Sequence, residues 1–390
     1  MELSKRITGL TGGGSDGWDV FYKARRMVDD GLPVVELTIG EHDIRTDPVI
    51  LEAMDRAAKG GHTGYAMIPG VQDLRKAVAR RLSERTGVAT RPENVLITPG
   101  GQAGLFAAHA AACDQGDRAL FIDPYYATYP GTVRGVGAVP VPVRAHPEDG
   151  FQPRAADIDA AADGAASLMI NTPNNPTGVI YSRATLQAIA EVCQRRDLWL
   201  ISDEVYDTQI WQGEHLSPRA LPGMADRTLV VGSMSKSHAM TGSRVGWIVG
   251  PEDAIAHMVT LATHTTYGVP GFIQDAATFA LDQGTELEEK IAAPFRRRRA
   301  AAQALIAKQN LVRLVPSGGA MYLMLDIRDT GLTGDAFANR LLDDTLIAVM
   351  PGESFGQAAA GHVRVAMTVD DSAFEIALGR VLEFAHEVTA

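Results

Sequence analysis

Cysteine is scarce: Cys113 and Cys193 are the only two in 390 residues. They show no CxxC spacing and sit in apolar helical contexts. That excludes a disulfide framework and a zinc site, and it fits a reducing compartment. Positive charge is also short. Lysine and arginine number 36 against 47 aspartates and glutamates, a net charge of −11. This balance argues against nucleic acid or an anionic membrane as a partner. The one basic run, residues 296–299, follows Glu286, Glu288 and Glu289 and reads as a solvated, ion-paired helix face. No apolar run reaches membrane-spanning length, and none follows the charged start Met-Glu-Leu-Ser-Lys-Arg. A cytoplasmic protein is expected. Internal repeats and low-complexity tracts are missing, and the glycine-rich turn at 99–102 is neither GxGxxG nor followed by the GK[ST] of a P-loop, so nucleotide binding gains no support there.

What is present describes an ordinary globular chain, 46% hydrophobic and 21% charged. Its length exceeds what one core usually serves, so two domains are expected. Apolar runs at 95–98, 119–122, 139–143, 168–171, 198–202, 229–232 and 245–249 read as strands. Helical patterns at 73–86, 103–113 and 184–195 alternate with them. The expected fold class is α/β: a large domain whose mostly parallel seven-stranded sheet lies between helices, plus a smaller α+β domain. The pattern changes near Glu286, where a charged helix interrupted by Pro294 should lead to about residue 310. Strands at 320–325, 347–350 and 363–367 and two more helices follow. The expected division is 45–285 for the large domain, with 1–44 and 286–390 forming an N-terminal arm plus small domain. Glycines 12–14 and Ser15 read as a loop on the substrate side.

The polar clusters follow the strands, where parallel α/β sheets hold ligands. Ser233-Met234-Ser235-Lys236 comes just after an apolar strand, with Arg244 beyond it. Hydroxyls and a guanidinium suit a phosphate dianion, and a lysine amine can form a Schiff base with a carbonyl compound. A surface turn with a solvated lysine is the alternative for that segment alone. Pro99-Gly100-Gly101-Gln102 is a strand-to-helix turn able to offer N–H groups to an anion, or a plain turn. The stretch 171–178, Asn-Thr-Pro-Asn-Asn-Pro-Thr-Gly, is a rigid loop rich in free amides. In Ile201-Ser202-Asp203-Glu204-Val205-Tyr206, Asp203 can act as counter-ion to a protonated ring nitrogen and Tyr206 can donate to a phenolate oxygen. A Walker-B acid is the rival reading there, without a Walker A to pair with it.

Together, SxSKxxxxxxxR, NPxNPTG and SDExY resemble the class I/II aminotransferases of the fold-type-I pyridoxal-phosphate enzymes, in matching order over nearly the whole chain. The resemblance implies pyridoxal 5'-phosphate as cofactor and an amino group moved between an L-amino acid and a 2-oxo acid. It implies Lys236 as the Schiff-base lysine, Asp203 as partner of the pyridinium nitrogen, and Tyr206 and Asn175 as donors to the cofactor O3′. Gly101 and Gln102, by backbone N–H, with Ser233, Ser235 and Arg244, are implied for the phosphate, and Tyr126 for stacking on the ring. Arg364, with Gly40 and Asn175, is implied for the substrate α-carboxylate. Tyr65 is implied to reach a neighbouring subunit's phosphate, hence a homodimer with shared active sites.

Two positions depart from the aspartate-specific members. Gln102 stands where a basic residue tends to meet the distal carboxylate, and Tyr267 where a phosphate-binding asparagine is usual. A strictly dicarboxylic donor is therefore not expected, and Trp18 is a candidate for the side-chain pocket. A C–S β-lyase on the same fold uses the same lysine and aspartate and stays open. Gly352-Glu353-Ser354-Phe355-Gly356 also satisfies GxSxG, with Asp370 or Asp371 and His386 in hydrolase order. It is a remote alternative, because the helix an elbow needs does not fit after it.

Overall fold

The computed structural model describes residues 1–389. Its strands in chain order are β1 (Val35–Leu37), β2 (Val95–Thr98), β3 (Arg118–Asp123), β4 (Val139–Arg144), β5 (Ala165–Asn171), β6 (Trp199–Asp203) and β7 (Thr228–Ser233). They continue with β8 (Gly246–Val249), β9 (Arg313–Leu314), β10 (Tyr322–Asp326), β11 (Ile347–Pro351) and β12 (His362–Ala366). The seven expected strands form one sheet in the order β2-β8-β7-β6-β5-β3-β4. All run parallel except β8, which is antiparallel to both neighbours. The reason is local. The link from β7 to β8 carries no crossover helix, so the chain turns straight back on itself, and that link holds Lys236 and Arg244.

The central strands are apolar on both faces because both faces are covered. On β5, Leu168 and Ile170 pack with Leu186 and Ile189 of the helix Arg183–Arg195. Met169, between them, packs on the other side with Leu105 and Ala108 of the helix Gly100–Ala112. The alternation along one strand therefore fixes which helix covers which face.

A second sheet, β1-β11-β12-β10-β9, gathers the C-terminal strands with one strand from near the N-terminus. Its core includes Phe337, Phe374 and Leu378, and it also receives Val20 and Ala24 from the helix Asp19–Asp29. Strand β1 was not expected; three residues are too few to show a period.

Pro294 does not interrupt its helix. Glu286–Ile306 is continuous, with the proline inside. Proline removes one ladder bond, but Leu287, Ile291 and Ala292 before it and Phe295 and Ala302 after it are all buried. Packing along both halves holds the line that the local rule would break. Among the described residues no helix is long and apolar enough to cross a membrane.

Candidate active site

The carboxyl ends of β2, β5, β6 and β7 open into a cavity of about 480 Å³, which β10 and β12 of the second sheet line from the opposite side. Residues that the sequence scatters over more than three hundred positions meet there.

Lys236 lies in the four-residue helix Met234–Ser237 that follows β7. Its Nζ donates to the Gly40 carbonyl, and its own carbonyl accepts from His42 Nε2 at 3.0 Å and Gln209 Nε2 at 3.2 Å. Burial lowers its pKa, assisted by Arg364 and Arg244 and opposed by Tyr322 and Glu41. The amine is thus biased toward its neutral, nucleophilic form. A side chain at residue 40 would run into the Tyr322 hydroxyl, 1.7 Å from where its Cβ would lie. Glycine there lets backbone approach both the tyrosine and the lysine.

Asp203 ends β6. Burial pushes its carboxyl up to about 6, while the Tyr129 hydroxyl donating to Oδ2 at 2.6 Å works the other way. No side-chain cation forms an ion pair with it among the described residues. Tyr206 is buried, with its hydroxyl 3.1 Å from that of Tyr322. Asn171 fixes the loop after β5: its Nδ2 donates to the Asp203 carbonyl at 2.9 Å, and its Oδ1 accepts from the Asn175 N–H at 2.7 Å.

Arg364, on β12, is 1% exposed and has no carboxylate partner among the described residues. It donates to Asn175 Oδ1 at 2.8 Å and to the Thr38 carbonyl, and its Nε has no partner. The guanidinium sits between the rings of Tyr322 and Phe355, 4.3 and 4.2 Å from their centroids. A buried, incompletely bonded cation is costly unless an anion arrives.

At the far end, Gly100 has φ +78°, and a Cβ on it would sit 2.5 Å from Arg244. That close approach puts the guanidinium beside the N-terminus of the helix Gly100–Ala112. The Ser233 and Ser235 side chains line the same wall as Gly101. This is a built anion cradle.

With that geometry the family can be named. A profile described as aminotransferase class I and II matches residues 33–381. The chain belongs to this family. It is 40% identical to the arginine–pyruvate transaminase of Pseudomonas aeruginosa, over 100% of this chain and 99% of that protein. It is 34% identical to the aspartate/prephenate aminotransferase of Thermus thermophilus, over 92% of each. Among solved structures it resembles a single mutant of the Thermus thermophilus aspartate aminotransferase, TM-score 0.92 at 33% identity, covering 98% of this chain and 100% of that one. An aromatic aminotransferase from Pyrococcus horikoshii gives 0.88 at 31%, covering 93% and 99%.

The chain is therefore an aminotransferase dependent on pyridoxal phosphate. The residues present fit that group. Asp203 is a buried acid lacking a cation, suited to a protonated ring nitrogen; the cradle at Gly101 and Arg244 suits a phosphate; the Lys236 amine suits an aldehyde.

All but one of the expected site residues line this cavity: Gly40, Gly101, Gln102, Tyr126, Asn175, Asp203, Tyr206, Ser233, Ser235, Lys236, Arg244 and Arg364. The Gln102 side chain turns aside to Thr128 and Thr132, which leaves its backbone N–H as its contribution. Tyr65 is the exception. It is 92% exposed, outside the cavity, with its ring edge-on to Tyr267. Tyr267 is likewise 54% exposed and does not line its own chain's cavity.

Sequence reading missed Tyr129 and Tyr322. Tyr129 opens the helix Tyr129–Gly135, three residues after Tyr126, and its ring is edge-on to that of Tyr126 at 5.8 Å. Tyr322 gave no signal, since only the folded second sheet turns it toward Tyr206. Trp18 lines the cavity, edge-on to Tyr126 at 6.4 Å. The GxSxG stretch forms a 3-10 turn rather than an elbow. Its would-be partners are engaged elsewhere: Asp370 caps the helix Asp371–Glu387, and Asp371 pairs with Arg297 and Arg298. Ser354 is not a nucleophile of a triad.

Proposed function

We propose that this aminotransferase works through Lys236 as base and acid, with Arg364 as the clamp for the substrate α-carboxylate. Bound pyridoxal phosphate supplies an aldehyde that bonds amines and a ring that takes up the electron pair left at the substrate Cα. Lys236 Nζ holds the aldehyde at rest. Freed by a substrate amine, the same nitrogen would be the base and acid that moves the proton at the substrate Cα. Its lowered pKa suits that exchange near neutral pH. The Asp203 carboxylate keeps a proton on the ring nitrogen, because a close negative charge favours the charged form. Tyr206 and the Nδ2 of Asn175 donate to O3′, the Asn175 Oδ1 being taken by Arg364. Backbone N–H groups of Gly101 and Gln102, with Ser233, Ser235 and Arg244, hold the phosphate. Tyr126, which lines the cavity, would stack on the ring. Gly40 gives the α-carboxylate room beside Arg364.

The observation that carries this reading is one cavity holding a half-buried amine and a buried guanidinium, neither with a carboxylate partner among the described residues. The donor is not strictly dicarboxylic. Arg244 and Arg364 are the only basic residues besides Lys236 along the cavity, and both are used near the cofactor. The relative named for arginine and pyruvate makes those two the first pair to assay.

The chain works in the cytoplasm as a homodimer, with Tyr65 reaching the partner's phosphate; the exposed Tyr65 supports this. Residues 45–285 form the large cofactor-binding domain. Residues 1–44 and 286–390 form the N-terminal arm and small domain.

A single-turnover experiment tests the class of reaction. With an amino acid alone, the visible absorbance of the loaded enzyme falls once and stops; pyruvate or 2-oxoglutarate restores it. Sustained release of ammonia without a 2-oxo acid marks a β-lyase and overturns the proposal.

A further inference from the structure

The substrate cavity has a second charged end. Trp18, Tyr22 and Gln102 line both it and an adjoining outer cavity of about 880 Å³ under the N-terminal segment. Glu41 lines the inner cavity, and Asp16 and Asp19 line the outer one. Asp16 lies at the tip of Tyr22, accepting from its hydroxyl at 3.0 Å and from the Trp18 N–H at 3.0 Å. Asp19 accepts from Ser15 at 2.5 Å. Glu41 has only the Thr241 hydroxyl, at 3.5 Å.

None of these three exposed carboxylates has an ion-pair partner among the described residues, whereas Asp159 and Asp371, both half-buried, each hold two arginines. The one guanidinium along the outer path, Arg134, is turned to the Leu10 carbonyl at 3.0 Å.

Arg364 shows which way a ligand must lie. Its buried, unpartnered Nε asks for an anion at the inner end. For an amino acid held there by its carboxylate, with its α-carbon at Lys236, the wall shared by the two cavities at Trp18 and Tyr22 offers a route for a long side chain. Aromatic faces flank that route: Trp18 and Phe21 are edge-on at 5.8 Å. Such walls cover an alkyl stem and attract a cation. A dicarboxylic donor would bring like charge beside Glu41.

We propose that the side-chain pocket selects amino donors with a cationic end, a guanidinium or ammonium, read by Glu41 and, behind Tyr22, by Asp16. This rests on the transaminase reading, with Arg364 as the α-carboxylate clamp.

The test compares charge at constant shape. Binding to the loaded enzyme is measured by calorimetry for 5-guanidinopentanoate, which lacks an α-amino group and cannot react, and for its neutral analogue 5-ureidopentanoate. Single-turnover kcat/KM is then compared for L-arginine and L-citrulline. The wild type is expected to prefer the cationic member of each pair by about tenfold or more, as about 1.4 kcal/mol of charge recognition gives. In Glu41→Gln/Asp16→Asn the preference falls below about threefold. The ratio is read on one sample, so partial unfolding does not move it. Equal binding of the two pentanoates by the wild type overturns the proposal, and so does a preference that survives in the double variant. Failure of the transaminase reading looks different, since no donor of any charge would then be converted.

Discussion

Asp203 and Glu204 are neighbours in sequence and opposites in the fold. Asp203 faces the cleft, where its side-chain donor is one tyrosine hydroxyl. Glu204 points the other way and is saturated. It accepts from Ser202 at 2.8 Å, Ser217 at 2.8 Å and His215 at 3.0 Å. Burial alone would depress His215, yet Glu204 beside it holds its pKa up. Nearby, Arg81 meets both Glu288 and Asp207, and Arg85 joins the same two acids.

The arginines repeat the contrast. Arg81 is half-buried between two carboxylates, Arg364 fully buried with none among the described residues. A charge whose partners are complete holds two segments of chain together. One left incomplete in a closed site waits for a ligand, at a standing cost to the empty protein.

The largest effect expected on the cleft side comes from Lys236→Ala. It lowers kcat by about 10⁴-fold or more, the scale of a lost general base. Borohydride then fixes no cofactor at that position. A variant that stays active or is still labelled there removes the cleft's central residue.

The two arginine environments can be set against each other directly. Arg364→Met is expected to lower kcat/KM for amino acids by about a hundredfold or more, through loss of a desolvated charge contact, and to affect simple amines far less. Melting of the cofactor-free protein should not suffer, since an unpaired buried charge has gone. Glu288→Gln should do the reverse. It destabilises by about 3 kcal/mol, as breaking a buried pair does, and leaves kcat/KM per folded enzyme within about twofold. Equal loss of stability in both variants, followed by urea unfolding, erases the distinction.

The smallest effect is a pH dependence. The Asp203 carboxyl is raised to about 6 in the folded chain. Between its unfolded value and about 6 the folded state holds the extra proton, so stability falls as pH rises through that window. Above it the ionised group carries a constant penalty of about 2–3 kcal/mol. Asp203→Asn in the cofactor-free protein should therefore gain stability at pH 7 and show no gain near pH 3. A gain independent of pH would locate its origin elsewhere than in this carboxyl.

Much of the cleft was legible because its chemistry follows strand ends. Strand β2 was read with its observed bounds, and the polar clusters after it and after β5, β6 and β7 could be found by asking where an apolar run stops. The small sheet was only partly legible: β1 and β9 are too short to carry a pattern, and Pro294 suggested a break that packing on both sides prevents. Tyr129 and Tyr322 were invisible for a different reason. A tyrosine near a strand or helix end is common, and only the approach of distant segments makes these two partners of Asp203 and Tyr206.

Which residues could do chemistry here is already written in the order of the amino acids. Residue type and spacing limit what a lysine, an aspartate or an arginine can bond, and apolar runs limit where strands lie. The tertiary structure decided which of them remain incomplete. Whether a charge meets a counter-charge depends on segments hundreds of residues apart being packed together, and no local pattern records that. It turned Asp203 inward and Glu204 away, left Arg364 without a carboxylate, and set Glu41 and Asp16 along the way in.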